Sequence, residues 1–151
     1  MGFTEATYEN GLNALKKGNA IVLFPEGEHG NFKPTSERYQ LQEFKRGFVR
    51  MALEAQCPIV PVVILGAEET HINLKKLKFT KFLRGSVIPL PLNIIPLPAK
   101  WRIQFLKPIT LPYKADKVDD SELVHEIAQD LQEQMQEAVE AALNDRGNPF
   151  I

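Results

Sequence analysis

Two apolar stretches, residues 20–27 (AIVLFPEG) and residues 58–65 (PIVPVVIL), decide the fold of this chain. Each contains a continuous run of mostly branched apolar residues of strand length, which is typical of a strand buried on both faces. Between the two runs, one helical face is apolar and consists of Phe44, Phe48, Met51, Ala52 and Ala55. We therefore predict a strand–helix–strand unit over residues 20–65, with parallel strands and a right-handed crossover.

The rest of the chain predicts further elements around this unit. Residues 4–17 favour a short helix capped by Thr4, and residues 101–106 alternate as a strand with Trp101, Ile103 and Phe105 on one face. Residues 121–143 carry apolar side chains at steps of four, which predicts an amphipathic C-terminal helix. The predicted fold class is α/β, with a central mixed, largely parallel sheet and flanking helices in a single domain, residues 1–151.

Composition is that of one soluble globular domain. Of the 151 residues 44% are hydrophobic and 25% charged, and the formal net charge of −1 gives no overall attraction to nucleic acid. The single cysteine, Cys57, cannot form an internal disulfide, and the first residues lack the pattern of a signal peptide. We expect a cytoplasmic protein, or one peripheral to the cytoplasmic face of a membrane, with no metal and no cofactor.

The loop from Pro25 to Glu43 is the candidate site. It is long for a strand-to-helix connection, and it leaves the carboxyl end of a predicted buried strand, where α/β sheets bind ligands. Glu26 can accept hydrogen bonds from hydroxyl groups, although capping of the local turn is the simpler interpretation of that residue alone. Lys45 and Arg46 at a helix start can hold a phosphate, although such pairs more often form a solvated face.

Three motifs, Phe-Pro-Glu-Gly (24–27), Glu-Phe-Lys-Arg-Gly (43–47) and Pro-Ile-Val-Pro-Val (58–62), occur in that order. Together they resemble the motifs of the glycerolipid acyltransferases, the family of glycerol-3-phosphate and 1-acylglycerol-3-phosphate acyltransferases. The resemblance implies phospholipid biosynthesis, in which an acyl chain moves from acyl-CoA or an acyl carrier protein to a glycerol (phosphate) hydroxyl or a lysophospholipid. It implies substrate-binding roles for nine residues: Phe24, Pro25, Glu26, Gly27, His29, Lys45, Arg46, Gly47 and Pro61. For Pro61 this role is shaping the pocket wall, and an edge-strand bulge is the alternative.

The chain departs from the family pattern in two places. The family motif continues Thr-Arg-Ser after Phe-Pro-Glu-Gly, whereas this chain has Glu28-His29-Gly30, so a histidine stands where the arginine would grip a phosphate. His29 can still donate a hydrogen bond to phosphate. A metal site on Glu26, Glu28 and His29 is the less favoured interpretation of this loop.

The second departure concerns the His-x-x-x-x-Asp motif, which supplies the general base in this family and lies upstream of Phe-Pro-Glu-Gly. Only 23 residues precede Phe24, and none of them is histidine. The pair His125 and Asp130 has the right spacing, but on a helix the two side chains point about 140° apart. We therefore expect no catalytic residue in this chain, which would be the carboxyl-terminal, acceptor-binding part of an acyltransferase domain and inactive alone.

Two further hypotheses belong to other classes of protein. One is a non-catalytic module that binds a lipid or an acyl thioester. The other is membrane docking through the basic and apolar segment 74–84, in which Lys75, Lys76, Lys78, Lys81 and Arg84 supply the charge. That segment can also be a solvated face, and nucleic-acid contact is the least favoured of its three interpretations.

Overall fold

The computed structural model describes residues 5–31, 33–78, 87–93 and 95–150. Its helices are α1 (Tyr8–Lys16), α2 (Glu28–Asn31), α3 (Gly47–Ala55) and α4 (Ser121–Asn144). Its strands are β1 (Val62–Leu65), β2 (Asn73–Lys78), β3 (Val87–Pro91) and β4 (Arg102–Phe105). Short 3-10 turns lie at Thr35–Glu37, Ala67–Glu69 and Ala115–Asp119.

The described strands form antiparallel pairs. β1 pairs with β4, with Val63 opposite Gln104 and Ile64 opposite Ile103, and β2 pairs with β3. The mixed α/β class is therefore confirmed, but the central, largely parallel sheet predicted from the sequence is not found in these ranges. Continuous apolar runs predict burial without specifying which strand lies alongside, so they left the strand direction undetermined.

Residues 20–24 correct the prediction of a first buried strand. They form no paired strand, and within the described ranges none of their amides donates a backbone hydrogen bond. Val22 is 83% exposed and Phe24 is 71% exposed. A strand exists only where a neighbour supplies the ladder, so the predicted strand–helix–strand unit is represented here by α3 and β1.

The helices confirm the sequence prediction more closely. α4 spans Ser121–Asn144 against a predicted 121–143, and Asp120 caps it by accepting a hydrogen bond from the Leu123 amide at 3.2 Å. α1 begins later than predicted, because the capping side chain is that of Thr7 rather than Thr4. Thr4 itself lies outside the described residues.

The core lies between α3 and α4 and continues beneath β1. Val49 and Leu53 of α3 meet Val124 of α4, and all three are fully buried. A second cluster packs Val63 and Leu65 of β1 against the carboxyl-terminal half of α4, with Tyr39 beside them. This packing fixes the start of α3, and therefore the Glu-Phe-Lys-Arg-Gly motif that precedes it.

The other side of the β1–β4 pair is uncovered in the described structure. As the alternation predicts, Trp101, Ile103 and Phe105 share a face, but they are 59%, 57% and 72% exposed. Ile64, which pairs with Ile103, is 37% exposed on the same side. We call these four residues the open face.

Two observations bear on the membrane interpretation. None of the helices in the described ranges combines the length and apolar character that crossing a bilayer requires. Residues 79–84 of the basic segment lie outside the described residues, so docking through that segment stays a prediction.

Candidate functional site

The Phe-Pro-Glu-Gly and Glu-Phe-Lys-Arg-Gly motifs lie against each other. The Lys45 amide donates to the Pro25 carbonyl at 2.8 Å, and the Gly27 amide donates to the Phe24 carbonyl at 3.0 Å. The Lys45 ammonium lies over the turn, and a Cβ added at Gly27 would be only 2.8 Å from its Nζ. Gly27 also has φ +58°, a backbone conformation that favours glycine, and the missing side chain leaves room for the lysine.

The Glu26 carboxylate is held from three sides. Its Oε2 accepts a hydrogen bond from the Gln42 amide at 2.8 Å and lies 3.6 Å from the Nζ of Lys33. Gly30 of α2 packs so closely that a Cβ there would approach the Glu26 Cβ to 2.7 Å. The side chain is 20% exposed. The carboxylate is therefore fixed in place and still reachable from solvent.

Lys33 is a buried cation beneath this carboxylate. Its side chain is 4% exposed, and its Nζ lies 2.9 Å from both Oε1 of Glu68 and the Gln40 carbonyl. Sequence reasoning missed Lys33, Gly30 and Gln42. A single lysine in a polar loop is usually solvated, so the sequence contains no signal that would have identified it.

A cavity of about 590 Å³ adjoins the two motifs and is lined by His29, Gln42, Glu43, Phe44, Lys45 and Arg46. It brings together three residues predicted to bind phosphate, His29, Lys45 and Arg46, and all three are exposed. Lys45 and Arg46 supply two cations to the lining against the one carboxylate of Glu43, and His29 adds an N–H donor, so the lining suits an anion. The sequence prediction of these residues rested on separate motifs, which the fold places side by side.

The remaining predicted site residues lie around this cavity or away from it. Gly47 opens α3 and borders a neighbouring cavity of about 400 Å³ that also reaches Arg46 and Arg50. Pro61 lines neither cavity; its carbonyl accepts a hydrogen bond from the Leu106 amide at 2.9 Å. The strand register shifts by one residue between this bond and the Ile59–Ile109 bridge. Such an irregularity is where a strand accommodates proline, and the pocket-wall role of Pro61 stays a prediction.

A buried polar cluster anchors the loop to the end of β1. The Tyr39 hydroxyl donates to Glu69 and accepts from the Gly66 amide at 2.9 Å, while Arg146 lies 2.6 Å from Oε1 of Glu69. Burial and the hydrogen bond to Glu69 raise the pKa of Tyr39 to about 12. Burial by itself would lower the pKa of Arg146, but the hydrogen bond and charge of Glu69 outweigh it, and the pKa is raised.

This cluster is continuous with the Glu26 region through Glu68. Oε2 of Glu68 accepts a hydrogen bond from the Tyr39 amide at 2.7 Å, while its Oε1 pairs with Lys33. The loop carrying Glu26 is therefore tied by successive polar contacts to the 3-10 turn that follows β1.

The arrangement has a definite chemical capacity. Within the described ranges, Oε1 of Glu26 takes part in no hydrogen bond or ion pair of the protein, so it can accept a hydrogen bond from a ligand hydroxyl. The cations of the adjoining cavity can hold a phosphate. A ligand that carries both a hydroxyl group and a phosphate can use both features.

Comparison with known proteins identifies relatives of this chain. The family model described as Acyltransferase matches residues 3–65. An uncharacterized protein of Mycobacterium tuberculosis (strain ATCC 25618 / H37Rv) is 36% identical over 161 residues, covering 99% of this chain and 45% of that protein. The 1-acyl-sn-glycerol-3-phosphate acyltransferase of Limnanthes douglasii is 31% identical over 114 residues, covering 74% of this chain and 32% of that enzyme.

The corresponding enzyme of Cocos nucifera is 35% identical over 72 residues, covering 48% of this chain and 20% of that enzyme. The chain thus spans less than half the length of these curated relatives. No solved structure matches it.

Proposed function

Because this chain belongs to the glycerolipid acyltransferase family, we propose that it carries the acceptor-binding part of such an enzyme. The acceptor is a glycerol phosphate or a lysophospholipid. Glu26 accepts hydrogen bonds from the glycerol hydroxyls, while Lys45, Arg46 and His29 hold the phosphate. Holding the hydroxyl fixed relative to the phosphate aims it at an acyl carbonyl, which is the entropic part of catalysis.

One observation carries this proposal: the motif that holds the Glu26 carboxylate is joined, by the bond from the Lys45 amide to the Pro25 carbonyl, to the motif that lines the cavity with Lys45 and Arg46. Neither group alone is specific, because carboxylates cap turns and lysines coat surfaces. A carboxylate that can bind a ligand hydroxyl, close to a site for an anion, is compatible with fewer ligands. It fits the glycerol phosphate unit better than a free fatty acid or a sugar.

The acyl donor is an acyl thioester, acyl-CoA or acyl carrier protein. The hydroxyl must lose a proton as it attacks the thioester. The family resemblance places the base in a His-x-x-x-x-Asp motif upstream of Phe-Pro-Glu-Gly, and residues 1–23 of this chain contain no histidine. We therefore expect the 151-residue chain alone to release no thiol from an acyl-CoA in the presence of glycerol 3-phosphate. Release that depends on the acceptor and disappears in Glu26→Ala would overturn this part of the proposal.

Binding tests the acceptor site directly. A soluble short-chain 1-acylglycerol 3-phosphate is titrated into the chain by calorimetry, with the unphosphorylated monoacylglycerol as the comparison ligand. We expect the phosphate to strengthen binding, and we expect Lys45→Met and Glu26→Gln each to weaken it by about tenfold, as for the loss of one charge-assisted hydrogen bond.

Lys16→Met is the matched control, because Lys16 is a half-exposed lysine paired with Glu54 and lines neither of the two cavities. Its affinity should equal that of the unaltered chain. Equal affinities for the two ligands would reject the phosphate site. An undiminished affinity in Glu26→Gln would reject the hydroxyl contact. Binding without turnover in the complete native protein would instead favour the non-catalytic binding module.

Association with an anionic membrane through Lys75, Lys76 and Lys78 is a separate part of the proposal. Anionic lipid vesicles should bind the unaltered chain and fail to bind the triple charge-reversal variant. Glu26→Ala should leave vesicle binding unchanged. If the triple variant binds as well as the unaltered chain, these lysines are an ordinary solvated face.

A further inference from the structure

Among the lysines whose burial the structure describes, Lys33 is the most deeply buried, and it lies outside the three family motifs at residues 24–27, 43–47 and 58–62. Its side chain is 4% exposed, although lysines are rarely buried without a partner. Burying an ammonium is costly unless its N–H groups are satisfied. The acceptors around the Lys33 ammonium therefore indicate its role.

The three N–H donors of Lys33 face three acceptors. Two of these, the Gln40 carbonyl and Oε1 of Glu68, lie at 2.9 Å, which is hydrogen-bond distance. The third, Oε2 of Glu26, lies at 3.6 Å, which is too long for a hydrogen bond. The interaction with Glu26 is therefore an attraction between charges rather than a bond that occupies the oxygen.

The distribution of charge around Lys33 leaves Glu26 available. Glu68 makes the shorter contact and is the main counter-ion of Lys33. The charge of Lys33 therefore orients Glu26 without a direct hydrogen bond between them. Oε2 of Glu26 is further fixed by the Gln42 amide at 2.8 Å, while Oε1 points to no protein partner within the described ranges. The geometry holds one oxygen and leaves the other for a ligand.

We infer that Lys33 is a positioning residue that holds the Glu26 carboxylate in the orientation needed to bind the acceptor hydroxyl. The inference rests on the proposed function of Glu26. Because Lys33 is also bound to Glu68 and Gln40, the acceptor site is connected through Lys33 to the 3-10 turn after β1. Lys33 is therefore expected to affect the binding of the glycerol hydroxyl group rather than that of the phosphate.

A structural readout tests the orientation without any ligand. The Gln42 amide donates to Glu26, so its signal in a ¹H–¹⁵N spectrum reports the position of that carboxylate. Glu26→Ala gives the reference for a lost contact. We expect Lys33→Met to move the Gln42 signal toward that reference and Lys33→Arg to return it toward the native position. An unmoved Gln42 signal in a folded Lys33→Met variant overturns the inference.

A binding readout tests the consequence. With the soluble 1-acylglycerol 3-phosphate as probe, we expect Lys33→Met to weaken binding by about tenfold, and we expect the Lys33→Met, Glu26→Ala double variant to bind no worse than Glu26→Ala alone. If Lys33 had only a structural role, Lys33→Met would weaken binding equally in the native chain and in Glu26→Ala. That additive result overturns the inference.

The Gln42 signal and the binding of the probe together distinguish a failure of the proposed function from a failure of the positioning role of Lys33. If the unaltered chain binds no probe while the Gln42 signal responds as expected, the proposed function fails for this chain and the positioning of Glu26 by Lys33 stands. If binding depends on Glu26 but not on Lys33, the proposed function stands and the positioning role fails. Where Lys33→Met does not fold, Lys33→Arg alone is compared with the native chain, and a native Gln42 signal together with native affinity is the expected result. Loss of either in a folded Lys33→Arg overturns the inference.

Discussion

The two faces of the β1–β4 pair have opposite surroundings, and the uncovered face is the more apolar one, because Arg102 and Gln104 of β4 lie opposite Leu65 and Val63 on the covered face. On the covered face, Val63 and Leu65 are 2% and 0% exposed beneath α4. On the open face, Ile103 and Phe105 are 57% and 72% exposed. Hydrophobic character therefore does not decide which face is packed. The position of α4, which follows β4 in the chain, does.

The covered face also holds the polar cluster of Tyr39, Glu69 and Arg146, and through Glu68 and Lys33 it supports the Glu26 loop. Within the described ranges, none of the four residues of the open face takes part in these polar contacts. The packing of the chain and the support of its candidate site therefore lie on the same side of the strand pair. Substitutions should accordingly separate by face.

The largest effect is expected for Arg146→Met. It leaves the Glu69 carboxylate, which is 3% exposed, without its cation, and the free energy of unfolding should fall by about 3–5 kcal/mol. Urea unfolding followed by circular dichroism measures it. Arg102→Met is the control, because its pair with Asp145 is largely exposed and should contribute less than about 1 kcal/mol. Similar losses in both variants would contradict the contrast between the buried and exposed pairs.

A comparably large effect, of about 2–5 kcal/mol, is expected for Leu65→Ala. Leu65 is fully buried in the covered face, so its truncation removes apolar contacts and leaves a cavity. Thermal and urea unfolding both report the change. The matched control is Ile103→Ala on the open face, where about 1 kcal/mol or less is expected because the side chain is already in water. Equal losses at the two positions would show that the open face is covered in solution.

Alkaline pH should weaken the covered face through Tyr39. Its pKa is raised from 10.0 to about 12, by burial first and then by the hydrogen bond to Glu69, so folding keeps the phenol protonated. The stability this contributes is complete below pH 10 and is lost as the pH rises toward 12, by roughly 2–3 kcal/mol. Urea unfolding at pH 9, 10 and 11 measures the slope.

Tyr39→Phe removes the titrating group, so the free energy of unfolding of the variant should fall less steeply with pH than that of the native chain over that range. Tyr8, whose pKa is also raised to about 12 by partial burial and its bond to Glu54, remains in both proteins and so cancels. An unchanged slope in Tyr39→Phe would assign the alkaline loss to other groups.

The smallest effect on stability is expected for Phe105→Ser on the open face, within about 0.5 kcal/mol. The same substitution should lower the binding of a dye that reports exposed apolar surface, because such patches attract apolar ligands and partners. Dye fluorescence and sedimentation at two protein concentrations measure these changes. Native dye binding in Phe105→Ser would show that the patch is shielded.

Part of this structure follows from the sequence because the governing forces are local. The four-residue spacing of apolar side chains predicted α4 nearly to the residue, and the alternation at residues 101–106 predicted which side chains of β4 share a face. The family motifs likewise predict Glu26, Lys45 and Arg46 as site residues. These features depend on helical and strand periodicity or on short motifs, which are written within a few residues of one another.

Tertiary structure alone decided the rest. The apolar run at residues 20–24 forms no strand ladder within the described ranges. A strand requires backbone hydrogen bonds to a neighbouring strand, and the sequence of the run does not determine whether a neighbour is present. Lys33 became part of the site only because the fold brings Glu26, Gln40 and Glu68 around its ammonium, across a loop and a turn 42 positions apart in sequence. Burial and charge pairing depend on which distant residues meet. A sequence states which residues can interact, whereas the packing of α4 on one side of β1 determined which of them do.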